Sequence, residues 1–131
     1  MIEFRLDARS GVAPYLQIVQ QVRNALRLDI LRVGDQLPTV KDVVGSVAIN
    51  PNTVLKAYRE LEGEGLVQGR PGIGTFVIRG IDGPPPHVRH ALRRSLGRWL
   101  KSAADAGLGR EDIAALFEST FRDDVGQEET A

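Results

Sequence analysis

The stretch INPNTVLKAYRELEGEGLVQGRPGIGTFV, residues 49–77, constrains this chain more than any other. Asn50 is a good helix N-cap, and Pro51 suits the first helical position, where its missing N–H costs nothing. Val54, Ala57, Tyr58 and Leu61 recur at helical spacing and predict a buried stripe. At about 100° per residue, Asn52, Leu55, Lys56 and Arg59 then point away from the core, with Thr53 on the flank. Gly65 offers the left-handed conformation that stops a helix. Leu66-Val67-Gln68 and Thr75-Phe76-Val77-Ile78 read as two strands around a tip at Gly69–Gly74. A capped helix followed at once by a glycine-rich hairpin leaves few folds open.

The flanks narrow the choice. Ile2, Phe4 and Leu6 alternate with charged residues, which predicts a short strand. A helix starts near Pro14 and covers about 14–31, with Leu16, Val19, Val22, Leu26 and Ile30 on one face. Val33-Gly34-Asp35 is a turn. Thr39 and Asp42 are spaced as a capping box for a short helix over 39–47. Its Val40, Val43, Val44 and Val47 are poor helix formers, so burial rather than propensity has to hold it. Downstream, Gly83-Pro84-Pro85-Pro86 is a stiff linker. A helix over 87–105 carries Val88, Leu92, Leu96, Trp99, Leu100 and Ala103 on one face. A second, over 110–122, carries Ile113, Leu116, Phe117 and Phe121, and Asp123–Ala131 reads as an acidic, frayed tail. Three regions follow: a domain over 1–80, a linker over 81–86 and a helical tail over 87–131.

Composition removes whole classes of function. There are no cysteines, hence no disulfides or thiolate metal sites. His87 and His90 lie three apart with no third ligand in the sequence, so they read as solvated side chains. No apolar run approaches the roughly 20 residues of a membrane span, and the N-terminus lacks a signal-peptide core, which predicts a cytoplasmic protein with no membrane partner. Gly72-Ile73-Gly74 lacks the following helix, third glycine and lysine of a phosphate loop. With no catalytic motif and no cofactor signature, the chain reads as a non-enzyme. Net charge is zero. Residues 1–80 carry 10 basic and 8 acidic side chains and residues 81–131 carry 7 and 9, so any argument for nucleic acid rests on local placement.

The predicted order is helix, short helix, tight turn, helix, two-stranded hairpin. It is mostly α with a small β-hairpin, the outline of a winged helix-turn-helix, followed by two helices. Such a fold presents the outer face of its third helix to a major groove. Here that face offers an amide, a hydroxyl and two cations. Asn52 can pair with adenine, and Lys56 can reach guanine or a phosphate. Arg70 sits beside glycines that let the hairpin backbone approach DNA. Each piece also has a plainer reading: Arg59 can pair with Glu62, and Lys56 with Glu60, on an ordinary solvated helix face. A winged-helix module that binds protein or RNA is the competing function, but such a module is expected to show an apolar helix face, and only Leu55 is apolar here.

Residues 14–78 resemble the DNA-binding domain of GntR-type bacterial transcription regulators. The matching pieces are PYLQIVQQVRNAL, VGDQLPTVKDV, INPNTVLKAYRELEGEGLV and GIGTFV, four motifs in the family's order. The NPNTVLKAYRELE run and the short tail are similar to the YtrA subfamily. The resemblance implies a homodimeric, repressor-like regulator on a pseudo-palindromic double-stranded DNA operator. It places Lys41 on the DNA backbone, Asn50, Asn52, Thr53 and Lys56 at the recognition helix, and Gly72 and Gly74 in the wing; Arg59, Arg70 and Thr75 complete the expected DNA-binding set. It also implies that the tail forms the dimer interface. Leu92, Leu96, Trp99, Leu100, Phe117 and Phe121 agree, being more apolar surface than two helices hide alone; packing back on helix 1 is the alternative. The basic face of Arg89, Arg93, Arg94 and Arg98 reads as solvated or as an aid in holding DNA. A small-molecule effector is compatible with this architecture, though no residue cluster marks a site for one. The family's usual glycine between helices 2 and 3 is Ala48 here, which implies a left-handed alanine and strain of about 1 kcal/mol; its usual proline before Gly34 is Val33, and its usual acid-Leu-Ala is Asp42-Val43-Val44.

Overall fold

The computed structural model describes residues 2–125. They form two compact units, Met1–Pro84 and Pro85–Ala131, each taken by itself. The first holds α1 (Pro14–Arg27), α2 (Val40–Ser46), α3 (Pro51–Gly63) and an antiparallel hairpin of β1 (Val67–Arg70) and β2 (Gly74–Val77). The second holds α4 (Pro86–Asp105), α5 (Arg110–Thr120) and a π-helical turn over Phe121–Val125.

The first core is built by α1 and α3. Ile18, Val19 and Val22 of α1 and Val54, Ala57 and Leu61 of α3 are fully buried, closed off by Leu37, Val43, Val67 and Val77. The expected stripe of α3 is buried in full, and Asn50 caps the helix by accepting from the Asn52 N–H at 2.8 Å. At its far end Gly65 takes φ +76 and the Leu66 N–H returns to the Leu61 carbonyl at 3.1 Å.

α1 stops four residues short of the expected end. Asp29 adopts φ 61, and the Ile30 N–H bonds back to the Ala25 carbonyl at 2.8 Å. This left-handed closure turns the chain, so Ile30 leaves the stripe and is exposed while Leu31 is buried. Periodicity alone could not see it, because Asp is an uncommon residue at that position. α2 forms its capping box in both directions, Asp42 N–H to Thr39 Oγ1 at 3.1 Å and Thr39 N–H to Asp42 Oδ2 at 3.2 Å. Its seven residues bury only Val43, with Val40 and Val47 against the core; Val44, expected on the same face, is exposed. The strain expected at Ala48 is absent: Asp29 is the one non-glycine residue with positive φ among the described residues, and Val47 ends α2 in extended geometry (φ −133, ψ 148).

Residues 2–6 do not form the expected strand. They run beside α1 with Phe4 buried, and a helix has no free ladder to pair with. Amide side chains substitute. Gln21 accepts from the Arg5 N–H at 2.9 Å and donates to the Arg5 carbonyl at 2.7 Å. Gln17 does the same at Asp7, at 2.8 and 2.9 Å, and also donates to Ser10 Oγ and the Val12 carbonyl.

The hairpin pairs Val67 with Val77 through to Arg70 with Gly74. Leu66 and Ile78, expected at strand ends, lie just outside it. The expected turn forms at Val33-Gly34, closed by the Asp35 N–H on the Arg32 carbonyl at 3.0 Å, and the residues after it lie along the other edge of β2. The Val77 N–H reaches the Asp35 carbonyl and the Leu37 N–H reaches the Thr75 carbonyl, both at 2.8 Å. β2 is therefore bonded on both sides, which anchors the base of the hairpin.

In the second unit, Ala103 is the buried hydrophobic residue among those described. Leu92, Leu96, Trp99, Leu100, Leu116, Phe117 and Phe121 remain exposed by 40–61%. Phe117 and Phe121 stack on each other at 5.7 Å between centroids. α5 ends at Thr120, two residues before expectation, and the chain continues as the π-helical turn. The expected acidic tail lies outside the described residues from position 126 onward.

Candidate nucleic-acid interface

The outer face of α3 is set by the inner one. With Val54, Ala57, Tyr58 and Leu61 in the core, Asn52, Leu55, Lys56 and Arg59 are left exposed and Thr53 half-buried. Asn50 is exposed, with its side-chain oxygen engaged in the cap. Neither expected intrahelical pair forms: among the described residues no ion pair joins Arg59 to Glu62 or Lys56 to Glu60. Lys56 instead lays its ammonium over the Tyr15 ring of α1, 4.1 Å from the centroid. Lys41 is exposed on the first turn of α2.

The wing tip turns at Arg70-Pro71-Gly72-Ile73, closed by the Ile73 N–H on the Arg70 carbonyl at 3.0 Å. Pro71 followed by Gly72 at φ +73 is the residue pattern of a type II turn. Gly74, at φ +147, packs so closely on Gln36 that a Cβ would collide with its side-chain amide. That amide donates to the Ile73 carbonyl at 3.3 Å. Arg70 stacks its guanidinium over Phe76 at 4.7 Å, which fixes a cation on the wing. Thr75 is half-buried, its carbonyl held by Leu37.

α3 and the wing enclose an open groove of about 580 Å³, lined by Leu55, Arg59, Glu62, Arg70, Ile73 and Thr75 among others. The structure thus brings Arg59, Arg70, Gly72, Gly74 and Thr75 to one groove. Polar contacts hold its walls. The Tyr58 hydroxyl donates to the Pro38 carbonyl at 2.6 Å, tying α3 to the entry of α2. Burial, helped by the nearby Asp42 carboxylate, pushes that hydroxyl well above the usual tyrosine range, so it stays a donor. Arg23 of α1 pairs with Glu64, and Arg79 donates to the Glu64 carbonyl at 2.6 Å, fastening the end of α3 to both neighbours.

Sequence reasoning missed Tyr15, Gln36 and Phe76. Tyr15 and Phe76 carry a signal in hindsight: each is an aromatic half-buried beside a surface cation. Gln36 carries none, since its role depends on a long-range approach. Among the described residues there is no cluster of metal-ligating side chains and no helix long and apolar enough to cross a membrane.

The family described as "Bacterial regulatory proteins, gntR family" matches residues 14–77, from the start of α1 to the end of β2. The HTH-type transcriptional repressor YtrA of Bacillus subtilis (strain 168) is 41% identical over 127 residues, covering 82% of this chain and 98% of the relative. The chain belongs to the GntR family. It is a GntR-family transcriptional regulator with a winged-helix DNA-binding domain, and its relatives are regulators rather than enzymes. The likeness to YtrA extends over more of the chain than the first unit holds. Two solved structures share the GntR-type fold. YtrA from Sulfolobus acidocaldarius, a GntR-family transcription factor, has a TM-score of 0.54 at 26% identity, covering 75% of this chain and 97% of that one. A transcriptional antiterminator from Listeria monocytogenes EGD-e has a TM-score of 0.58 at 27% identity, covering 93% and 92%.

Proposed function

We propose that this GntR-family regulator is a cytoplasmic repressor that binds a pseudo-palindromic double-stranded DNA operator as a homodimer. The observation that carries the reading is the outer face of α3. It leaves Asn52 and Arg59 exposed, with no ion pair to Arg59 among the described residues, beside a wing whose Arg70 faces the same groove. In this reading α3 enters the major groove, where Asn52 and Arg59 meet base edges and Thr53 and Lys41 meet phosphates. The wing lies along the flanking backbone with Arg70, Gly72, Gly74 and Thr75.

The homodimer rests on the second unit. Leu92, Leu96, Trp99, Leu100, Phe117 and Phe121 form an exposed apolar surface on two helices, which water disfavours and a second copy would cover. Two copies related by a two-fold axis read two inverted half-sites.

Selection of bound duplexes from a random pool tests this. The expected product is an inverted repeat with half-site centres about 10 base pairs apart, or a multiple of that. A pool that shows no enrichment removes the DNA reading. Enrichment of one isolated half-site removes the dimer.

A further inference from the structure

The outer face of α3 is divided. Taking Asn52 as zero, Arg59 lies about 20° and Leu55 about 60° to one side, and Lys56 about 40° to the other. The structure shows what each side meets. Leu55 and Arg59 line the groove with the wing, whereas Lys56 reaches the first turn of α1 and rests on Tyr15. Lys56 is exposed and could extend freely, yet its ammonium sits 4.1 Å from the Tyr15 centroid. Tyr15 in turn is half-buried against the core, so its ring is a fixed platform.

We infer that Lys56 is a backbone-binding cation held at the α1 edge of the interface by Tyr15, and that it reads no base. Three features support this. The ring draws the charge away from the centre of the helix face. An ammonium is a point charge without the planar fork that matches a base edge, so it serves a phosphate as well from any sequence. Tyr15 also restricts a side chain that otherwise gives up much rotamer freedom on binding, so the charge is already near the strand it meets. Tyr15 is thus a positioning residue for the DNA contact, and base discrimination falls to Asn52, Leu55 and Arg59.

This inference rests on the DNA-binding reading, and the experiment separates the two. Full-length wild type, Lys56→Met, Tyr15→Phe, Tyr15→Leu and the Lys56→Met/Tyr15→Leu double variant are titrated against the selected duplex and its single-base variants at several salt concentrations. NMR of the free proteins follows the Lys56 side-chain methylene protons. Ring-current shifts of those protons are expected in wild type and Tyr15→Phe and are expected to vanish in Tyr15→Leu. Lys56→Met is expected to lower affinity for every duplex alike, keep the ranking of base variants, and flatten the salt slope by about 0.9. Tyr15→Leu is expected to weaken binding about two- to fivefold, a part of the rotamer freedom that Lys56 then gives up on binding. The double variant should bind no more weakly than Lys56→Met alone. A changed base ranking in Lys56→Met, or additive losses in the double variant, overturns the inference. If Tyr15→Leu does not fold, the Lys56→Met ranking and slope decide by themselves. A wild type with no duplex preference overturns the DNA reading together with this one.

Discussion

Tyr58→Phe removes one oxygen from the joint between α2 and α3. In the wild type that hydroxyl is buried and donates to the Pro38 carbonyl at 2.6 Å. Phenylalanine keeps the ring but leaves a buried carbonyl without its donor, which costs about 1–2 kcal/mol near neutral pH. The pH dependence makes the test sharper. Burial first, and then the Asp42 carboxylate, raise the Tyr58 hydroxyl above its ordinary value. The folded state therefore keeps its proton where the unfolded chain releases it. Stability from Tyr58 is fully present below about pH 10 and is lost as pH rises above that. At pH 11 the unfolded chain has released most of this proton, and the wild type has lost about 1.4 kcal/mol that the variant never had. Other titrating groups are common to both proteins and cancel. The deficit of Tyr58→Phe should thus shrink toward zero between pH 8 and pH 11. Denaturant unfolding followed by far-UV circular dichroism measures it; tryptophan fluorescence would report on the other unit, where Trp99 lies. A deficit that stays the same at pH 8 and pH 11, or a variant as stable as wild type at pH 8, refutes the reasoning.

Three further outcomes are expected. Gln17→Leu should destabilise the first unit by about 2–3 kcal/mol, because this buried amide bonds both backbone groups of Asp7 and the Val12 carbonyl; denaturant midpoints check it. Gly72→Ala should cost about 1 kcal/mol through its left-handed φ of +73, with nothing within 4 Å to clash, and should weaken duplex binding while dimerisation stays intact. Truncation after Ile81 should give a monomer by sedimentation with markedly weaker duplex binding; a truncated chain that still sediments as a dimer contradicts the role assigned to the tail helices.

Much of the fold was legible because its cues are local. The α3 stripe, the Asn50 cap, the Thr39–Asp42 capping box and the Gly65 stop all follow from residues within one or two turns. What stayed hidden depends on distant partners or rare conformations. Asp29 ends α1 in a left-handed geometry that glycine usually signals. Residues 2–6 look like a strand in period but lie against a helix, so Gln17 and Gln21 replace the missing ladder. Residues 34–37 bond to β2 from some forty positions away. The family pattern implies strain at Ala48, and the chain avoids it by leaving α2 in extended geometry. At the candidate site, which side chains face outward was legible from period alone. Which of them are engaged was not: the sequence offers Lys56 to Glu60 and to DNA alike, and the aromatic beneath it is 41 residues away.

Amide chemical-shift mapping of the full chain with its selected duplex tests the central claim most directly. The account predicts the largest shifts at residues 50–59 of α3 and its cap, and at 69–75 of the wing, with smaller shifts near Tyr15 and Lys41. Shifts concentrated instead on α4, around Arg89 to Arg98, with α3 and the wing unmoved, would contradict it.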